Sequence, residues 1–151
     1  MKFLVDQPLA GVAKRLRFLG FDAACRRLDP RNPGALPPPA ANTYILTRQE
    51  TFKHLARTDL LFLTASTLKE QLTEVIQCLK ISRRHLAPLS RCSRCNARLR
   101  PVGREQAQAL VPEHVFVQHQ EFYECPGCRR IFWPGSHLKG ITRDLLSKFQ
   151  D

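Results

Sequence analysis

Acidic residues are scarce in this sequence. Its 151 residues include 13 Asp and Glu against 24 Lys and Arg, which gives a formal net charge of +11. Such an excess of positive charge points to a polyanionic partner, with RNA or DNA first and an acidic membrane surface second. The alternative is that the charge only keeps the protein soluble. The length predicts one medium domain or two small ones.

Long apolar runs are absent as well. No stretch is long enough to span a bilayer, and Asp6 and Pro8 interrupt the amino-terminal segment before the apolar core of a signal peptide could form. We therefore expect no membrane segment and a cytoplasmic location. In that reducing compartment, cysteines would serve as metal ligands rather than as disulfides.

Four of the cysteines form two C-x-x-C pairs, Cys92 with Cys95 and Cys125 with Cys128. Two such turns can direct four thiolates at one ion, which is the arrangement of a closed structural Zn²⁺ site. Two disulfides, or four unrelated thiols, are the alternative. The spacing predicts zinc.

One stretch around the first pair has no acidic residue at all. Between Arg83 and Arg104 it carries seven arginines, and two more follow the second pair. A planar guanidinium can donate two parallel hydrogen bonds to phosphate oxygens. The candidate RNA contacts in this half of the chain are therefore Arg91, Arg94, Arg98, Arg100, Arg129 and Arg130.

The first half of the chain alternates between strand and helix patterns. Strands are predicted over residues 2–6, 21–25, 43–47 and 59–64, and helices over 8–19, 47–55 and 67–79. Capping-box spacing occurs at Thr47 with Glu50 and at Thr67 with Glu70. This alternation predicts an α/β fold with a parallel sheet that is covered on both faces. Asp6, Thr47 and Arg48 would lie at the carboxyl ends of its strands, where such sheets bind ligands.

The rest of the chain is less regular. Prolines exclude regular structure over residues 29–41. Further strands are predicted over 98–102, 115–123 and 130–133, followed by a closing helix that Ser136 caps. We therefore expect an α/β domain over residues 1–88 and a small zinc-ribbon domain over residues 89–151.

Several segments, taken in order, resemble one family. They are FLVDQPLAGVAKRLRFLGFD (3–22), YILTRQ (44–49), KEQLTEVI (69–76), SRCSRCNARL (90–99) and CPGCRRIFWPGSH (125–137). The family is the PIN-like ribonuclease domain with a fused zinc ribbon, named after the carboxyl-terminal part of the mutator-seven exonuclease. The resemblance covers nearly the whole chain and implies a Mg²⁺- or Mn²⁺-dependent ribonuclease. It also adds His137, in the Gly-Ser-His motif, as either an RNA contact or a structural hydrogen-bonding residue.

The sequence departs from this family at the acidic site. Asp6 matches the first acid, but the family's Thr-Arg-Asp is Thr47-Arg48-Gln49 in this chain. A further acid, expected on a helix between the second and third strands, falls in the proline-rich segment, where only Asp29 is present. Glu50 or Asp29 could substitute only from displaced positions. Because metal-dependent phosphodiester hydrolysis needs ions held by carboxylates, we expect impaired nuclease activity. Asp6 could instead only cap the following helix.

The leading interpretation is therefore an RNA-engaging protein with a structural zinc ribbon and impaired endoribonuclease activity. The alternative is a non-catalytic adaptor whose basic face docks an acidic protein partner. The sequence does not identify the RNA or the partner.

Overall fold

A four-stranded parallel sheet forms the first half of the protein in the computed structural model, which describes residues 1–136, 139, 140 and 143. The strand order is β2-β1-β3-β4. The strands are β1 (Lys2–Asp6), β2 (Asp22–Arg26), β3 (Thr43–Thr47) and β4 (Leu60–Phe62), and the helices between and after them are α1 (Ala10–Phe18), α2 (Glu50–Lys53) and α3 (Leu68–Cys78). The predicted α/β fold and parallel sheet are confirmed, and β1 and β3 have the predicted bounds.

Side chains alternate between the two faces of the sheet. On one face, Phe3 and Val5 of β1 pack with Leu46 of β3 and with buried residues of α1 and α3. On the other face, Leu4 and Ile45 pack with Leu28, with Phe52 of α2, and with Leu36 of the proline-rich segment. The second face is therefore covered by a loop and one short helix, since prolines leave that segment only a short 3₁₀ turn at Pro33–Ala35.

The two predicted capping boxes have different outcomes. Thr67 and Glu70 form theirs, with each side chain bonded to the other's backbone at the start of α3. Thr47 and Glu50 do not, because α2 begins after Gln49 without a side-chain cap. The Thr47 hydroxyl instead donates to Asp6, at 3.0 Å, and accepts from the Gln49 backbone N–H. A tertiary contact has therefore displaced the local one.

The second half contains a small antiparallel sheet in the order β5-β6-β7. Its strands are β5 (Arg100–Val102), β6 (Phe122–Glu124) and β7 (Ile131–Phe132), and two short helices, α4 (Arg104–Gln108) and α5 (Glu113–Gln118), lie between β5 and β6. The strands predicted at 98–102 and 130–133 are thus present in shortened form. The structure also contains α4, which the sequence analysis did not predict.

The strand predicted over residues 115–123 is wrong, because its first part is the helix α5. Val115 is buried and packs with Ala107 of α4 and with Phe122, whereas Val117 is 66% exposed. The alternation of apolar residues therefore did not mark a pleated strand. Pro112 directly before α5, and the stacking of Phe116 on Phe122, favour a helical turn that folds back on the sheet.

A tight connection joins the two halves. The Ala87 backbone N–H donates to Leu19 O at 2.9 Å, and Gly20 lies beside it with φ +96°. A Cβ at Gly20 would lie 2.1 Å from Ala87 O. Only glycine fits this position without a shift of backbone.

The predicted closing helix from Ser136 lies mostly outside the described residues. None of the helices that are described combines the length and apolar character needed to cross a membrane.

Gly20→Ala should therefore destabilise the protein strongly, by about 3 kcal/mol, since it combines a positive φ with a backbone clash. Gly34→Ala is the control, because the nearest atom to a Cβ there is 3.6 Å away and φ is not positive. Urea denaturation should give equal m-values and a lower midpoint for the Gly20 variant alone. Equal midpoints for both variants would contradict the close approach.

Candidate functional site

The four paired cysteines form a compact cluster. The Sγ atoms of Cys92, Cys95, Cys125 and Cys128 all lie within 4.8 Å of one another, and all four thiols are free. The Cys92–Cys128 and Cys95–Cys125 sulfur distances are 3.7 Å and 3.3 Å, whereas a disulfide needs about 2.05 Å. A tetrahedral ion with metal–sulfur bonds of about 2.3 Å would space its sulfurs about 3.8 Å apart. These cysteines could therefore hold a metal ion.

The two cysteine turns are built in the same way. In the first, Cys95 N–H approaches Cys92 Sγ at 3.5 Å, and Asn96 N–H donates to Cys92 O at 2.9 Å. Asn96 adopts the left-handed conformation with φ 68°. Backbone N–H groups that point at the sulfurs favour the thiolate form, which binds metal.

The second turn repeats these contacts. Cys128 N–H approaches Cys125 Sγ at 3.4 Å, Arg129 N–H donates to Cys125 O at 2.8 Å, and Arg129 has φ 62°. The two turns thus present their sulfurs to each other with matching geometry, although one left-handed position is Asn and the other is Arg.

Without a metal, the cysteines differ in acidity. Burial raises the pKa of the Cys92 thiol to about 12 and also raises the pKa of Cys125. A backbone hydrogen bond from Ala97 lowers the pKa of Cys95 to about 7. Buried thiolates need a cation to balance them, so ion binding would release the protons of Cys92 and Cys125, and affinity would rise with pH.

The first cysteine turn is bound to the helix α1 through a buried arginine. Arg17 is 9% exposed. Its Nε donates to Ala23 O at 2.8 Å, and its Nη1 donates to the carbonyls of Ser93 and Arg94 at 3.2 Å and 2.8 Å. One guanidinium therefore joins the helix, the edge strand β2 and the cysteine turn.

The same turn also covers the free edge of β2. Asn96 accepts from the Ala23 N–H at 3.0 Å and donates to Asp22 at 2.7 Å. Arg91 forms an ion pair with Asp22 at 3.1 Å and donates to Asn96 O. The cysteine turn thus satisfies an edge amide that would otherwise be open to another strand.

The candidate acid at the end of β1 lies in a closed hydrogen-bond network. Asp6 has no exposed surface. Its Oδ1 accepts from Leu28 N–H at 3.1 Å, and its Oδ2 accepts from the Thr47 hydroxyl at 3.0 Å and from Gln49 Nε2 at 2.6 Å. Asp6 does precede a 3₁₀ turn, but its side chain does not cap it.

The network at Asp6 does not fit a Mg²⁺ or Mn²⁺ site. Among the described residues, the four cysteines are the only group of three or more His, Cys, Asp or Glu side chains close enough to hold an ion. The amide of Gln49 directs a donor at Asp6, where a cation would need an acceptor. Both oxygens of Asp6 already accept hydrogen bonds.

The other acids near this edge are engaged elsewhere. Asp29 is exposed and accepts from Arg31 N–H at 2.9 Å, while Glu50 pairs with Lys53 at 3.6 Å. Glu74 of α3, which the sequence analysis did not single out, accepts from the backbone N–H groups of Thr64 and Ala65 just after β4. None of these supplies Asp6 with a second carboxylate.

The candidate RNA-binding arginines separate into two groups. Arg91 is largely buried against Asp22, and Arg100 and Arg129 both form ion pairs with Glu124, at 2.7 Å and 3.0 Å. Four exposed arginines have no side-chain hydrogen bond or ion pair with other described residues: Arg48, Arg94, Arg98 and Arg130. His137 lies outside the described residues.

Two structural roles were missed by sequence reasoning. Asn96 carried a signal, because Asn after a C-x-x-C turn suits the left-handed conformation. Arg17 carried none, since its position among other basic residues of α1 predicted a solvent-facing side chain.

The chain matches the family model described as the Mut7-C RNAse domain over residues 1–145. It belongs to this family. No curated protein and no solved structure gave a significant match. Membership in the Mut7-C family supports a ribonuclease-like, RNA-related function and agrees with the parallel sheet followed by a four-cysteine cluster.

Proposed function

We propose that this Mut7-C protein binds RNA through arginines on a zinc-stabilised ribbon and has lost most of the nuclease activity that the family implies. The observation that carries the RNA part is the exposure of Arg94, Arg98 and Arg130 on the two cysteine turns. Their guanidinium groups are free to donate to phosphate oxygens. The rigidity of the turns fixes where these groups stand.

The impaired activity rests on one contact, the 2.6 Å hydrogen bond from Gln49 Nε2 to Asp6. A carboxylate at position 49 would offer a Mg²⁺ or Mn²⁺ ion a second anionic ligand beside Asp6. The Gln49 amide instead donates a hydrogen bond to Asp6 and has no negative charge to balance such an ion. The protein therefore engages RNA with little or no cleavage. The cytoplasm is the proposed compartment, because free thiols persist there.

We propose residues 1–88 and 89–151 as two modules that pack as one unit. Arg17, Asn96 and Arg91 bind the ribbon's first cysteine turn to α1 and β2. Because these contacts involve buried polar groups, separating the modules would leave carbonyl and amide groups unsatisfied.

The second candidate function is an adaptor that docks an acidic protein on the same arginines. The exposed charge alone is compatible with both. RNA binding should strengthen with oligonucleotide length and weaken steeply with salt, because each phosphate contact releases counterions. If the arginines instead dock an acidic protein, the affinity of the protein for RNA should not increase with oligonucleotide length.

The first prediction concerns the metal. Purified protein should contain one Zn²⁺ per chain, measured by atomic absorption, and Cys→Ser at Cys92, Cys95, Cys125 or Cys128 should remove it. Since structural zinc supplies folding free energy, these variants should also lose the ribbon's structure. Cys78→Ser is the control, because Cys78 is exposed and outside the cluster. A folded, reduced protein without zinc would contradict the proposal.

The second prediction concerns RNA. Arg94→Gln, Arg98→Gln and Arg130→Gln together should weaken binding and lower the slope of log affinity against log salt by about 2, since each single-strand phosphate contact contributes about 0.7. The triple variant Lys14→Gln, Lys69→Gln and Lys80→Gln removes the same charge from exposed positions on the α/β module. Fluorescence anisotropy would compare them. Equal slopes for the two variants would favour the adaptor.

The third prediction concerns catalysis. Cleavage of a fluorogenic RNA should stay near background with Mg²⁺ and be detectable at most with Mn²⁺, which takes similar oxygen ligands. Gln49→Asp should restore part of the activity by adding a carboxylate beside Asp6, and Asp6→Asn should abolish it again. Gln77→Asp, at an exposed position on α3, is the control. Robust Mg²⁺-dependent cleavage by the unaltered protein, lost in Asp6→Asn, would overturn the proposed impairment.

A further inference from the structure

A cleft of about 470 Å³ lies in the segment that follows β2, and it is lined by Arg27, Asp29, Pro30 and Arg31. All four strands of the parallel sheet run in one direction, so this segment begins at the same edge as Asp6 and Thr47. The cleft is therefore next to the position where the family's acidic site would be. None of the described residues that line it is a candidate from the sequence analysis for RNA binding.

The Asp6–Gln49 pair fixes this segment in place. Leu28 N–H donates to Asp6 Oδ1 at 3.1 Å, and Leu28 O accepts from Gln49 Nε2 at 3.0 Å. The Leu28 side chain is 3% exposed and packs with Leu4, Ile45 and Phe52. Both backbone polar groups and the side chain of Leu28 are thus held. Arg27 and Asp29, its neighbours, are consequently held at the cleft.

The charge around the cleft is positive. Arg27 and Arg31 are exposed and have no side-chain partner among the residues described, and the same holds for Arg26 and Arg48 at the ends of β2 and β3. Asp29, the one acid in the lining, accepts from Arg31 N–H through Oδ1. Uncompensated guanidinium groups beside a cleft are a suitable receptor for a phosphate group.

The cleft and the ribbon meet the same strand. The ribbon's first cysteine turn contacts Asp22 and Ala23 at the start of β2, and the cleft follows Arg26 at its end. A strand of five residues extends about 15 Å. An RNA strand that spans this distance would contact the ribbon arginines and the cleft together. Membership in the Mut7-C family supports RNA as the occupant.

We propose that the cleft binds a phosphate group of an RNA strand through Arg27 and Arg31, without a metal ion. Gln49 acts as a positioning residue that holds Leu28 and thereby the two arginines. The inference rests on the proposed RNA binding and adds a second contact region to it. In this chain, arginines on a segment whose backbone is held at Leu28 by the Asp6–Gln49 pair supply the positive charge at the strand ends.

The test measures affinity by fluorescence anisotropy with labelled oligonucleotides of increasing length. Arg27→Gln with Arg31→Gln should lower the salt slope by about 1.4 for long RNA, which is two contacts of about 0.7. The shortest oligonucleotides that still bind should occupy the ribbon and show no change. Lys14→Gln with Lys80→Gln removes the same charge from exposed positions on the α/β module and should leave both slopes unaltered. Mg²⁺ should not strengthen binding, because no metal ion takes part in it.

The positioning role has its own readout. Gln49→Leu removes both hydrogen bonds while keeping a similar size, and it should lower the long-RNA slope although both arginines remain. Added to Arg27→Gln and Arg31→Gln, it should cause no further loss, because interacting residues are non-additive. Circular dichroism would confirm that each variant is folded. If Gln49→Leu does not fold, Gln49→Asn, which retains a shorter amide, is used instead, and its long-RNA slope should lie between that of the unaltered protein and that of the Arg27, Arg31 variant.

Three results would overturn the proposal. RNA binding that depends on Arg94, Arg98 and Arg130 but not on Arg27 and Arg31 would exclude the cleft as an RNA contact and leave the proposed function intact. Complete absence of RNA binding would contradict both the cleft proposal and the proposed function. Competition by a polyglutamate peptide, equal to that by RNA, would instead support the adaptor.

Discussion

The buried carboxylate of Asp6 is the interaction on which the carboxyl edge of the sheet depends. A buried charge needs hydrogen bonds to every oxygen, and Asp6 obtains them from Leu28 after β2 and from Thr47 and Gln49 at the end of β3. Satisfying it draws the segment after β2 and the turn after β3 onto β1. Thr47 consequently cannot form the capping box with Glu50. Asp6, a candidate catalytic acid from the sequence, therefore holds this edge of the sheet together.

The second half depends in the same way on polar contacts that cross between the modules. Four thiols face one another, and a single ion would balance their thiolate charges. The turn that carries Cys92 and Cys95 is fixed by Arg17 and Asn96, which satisfy carbonyl and amide groups on both sides. Loss of the ion would therefore weaken the cover on the β2 edge as well as the ribbon. These contacts couple the stability of the first half of the chain to that of the second.

Much of the first module could be predicted from sequence, because β1 and β3 are short buried runs and α3 has both its capping box and its apolar stripe. The cysteine spacing likewise predicted the cluster. The strand prediction over residues 115–123 was wrong because alternation of apolar residues over a few positions does not distinguish a strand from a helical turn. The packing of Val115 against Ala107 and Phe122 holds α5 as a helix on the small sheet, and these partners lie beyond the few residues over which an alternation is read.

The sequence by itself determined the α/β order, the four-cysteine cluster and the amide at position 49, since each depends on residue type and local spacing. Only the tertiary structure decided what those residues contact. It placed the Gln49 amide on Asp6 and Leu28, buried Arg17 in the junction, and paired Arg100 and Arg129 with Glu124 while Arg94, Arg98 and Arg130 stayed exposed. The physical reason is that hydrogen-bond satisfaction in a closed core is settled by whichever groups the fold brings within about 3 Å, whatever their separation along the chain.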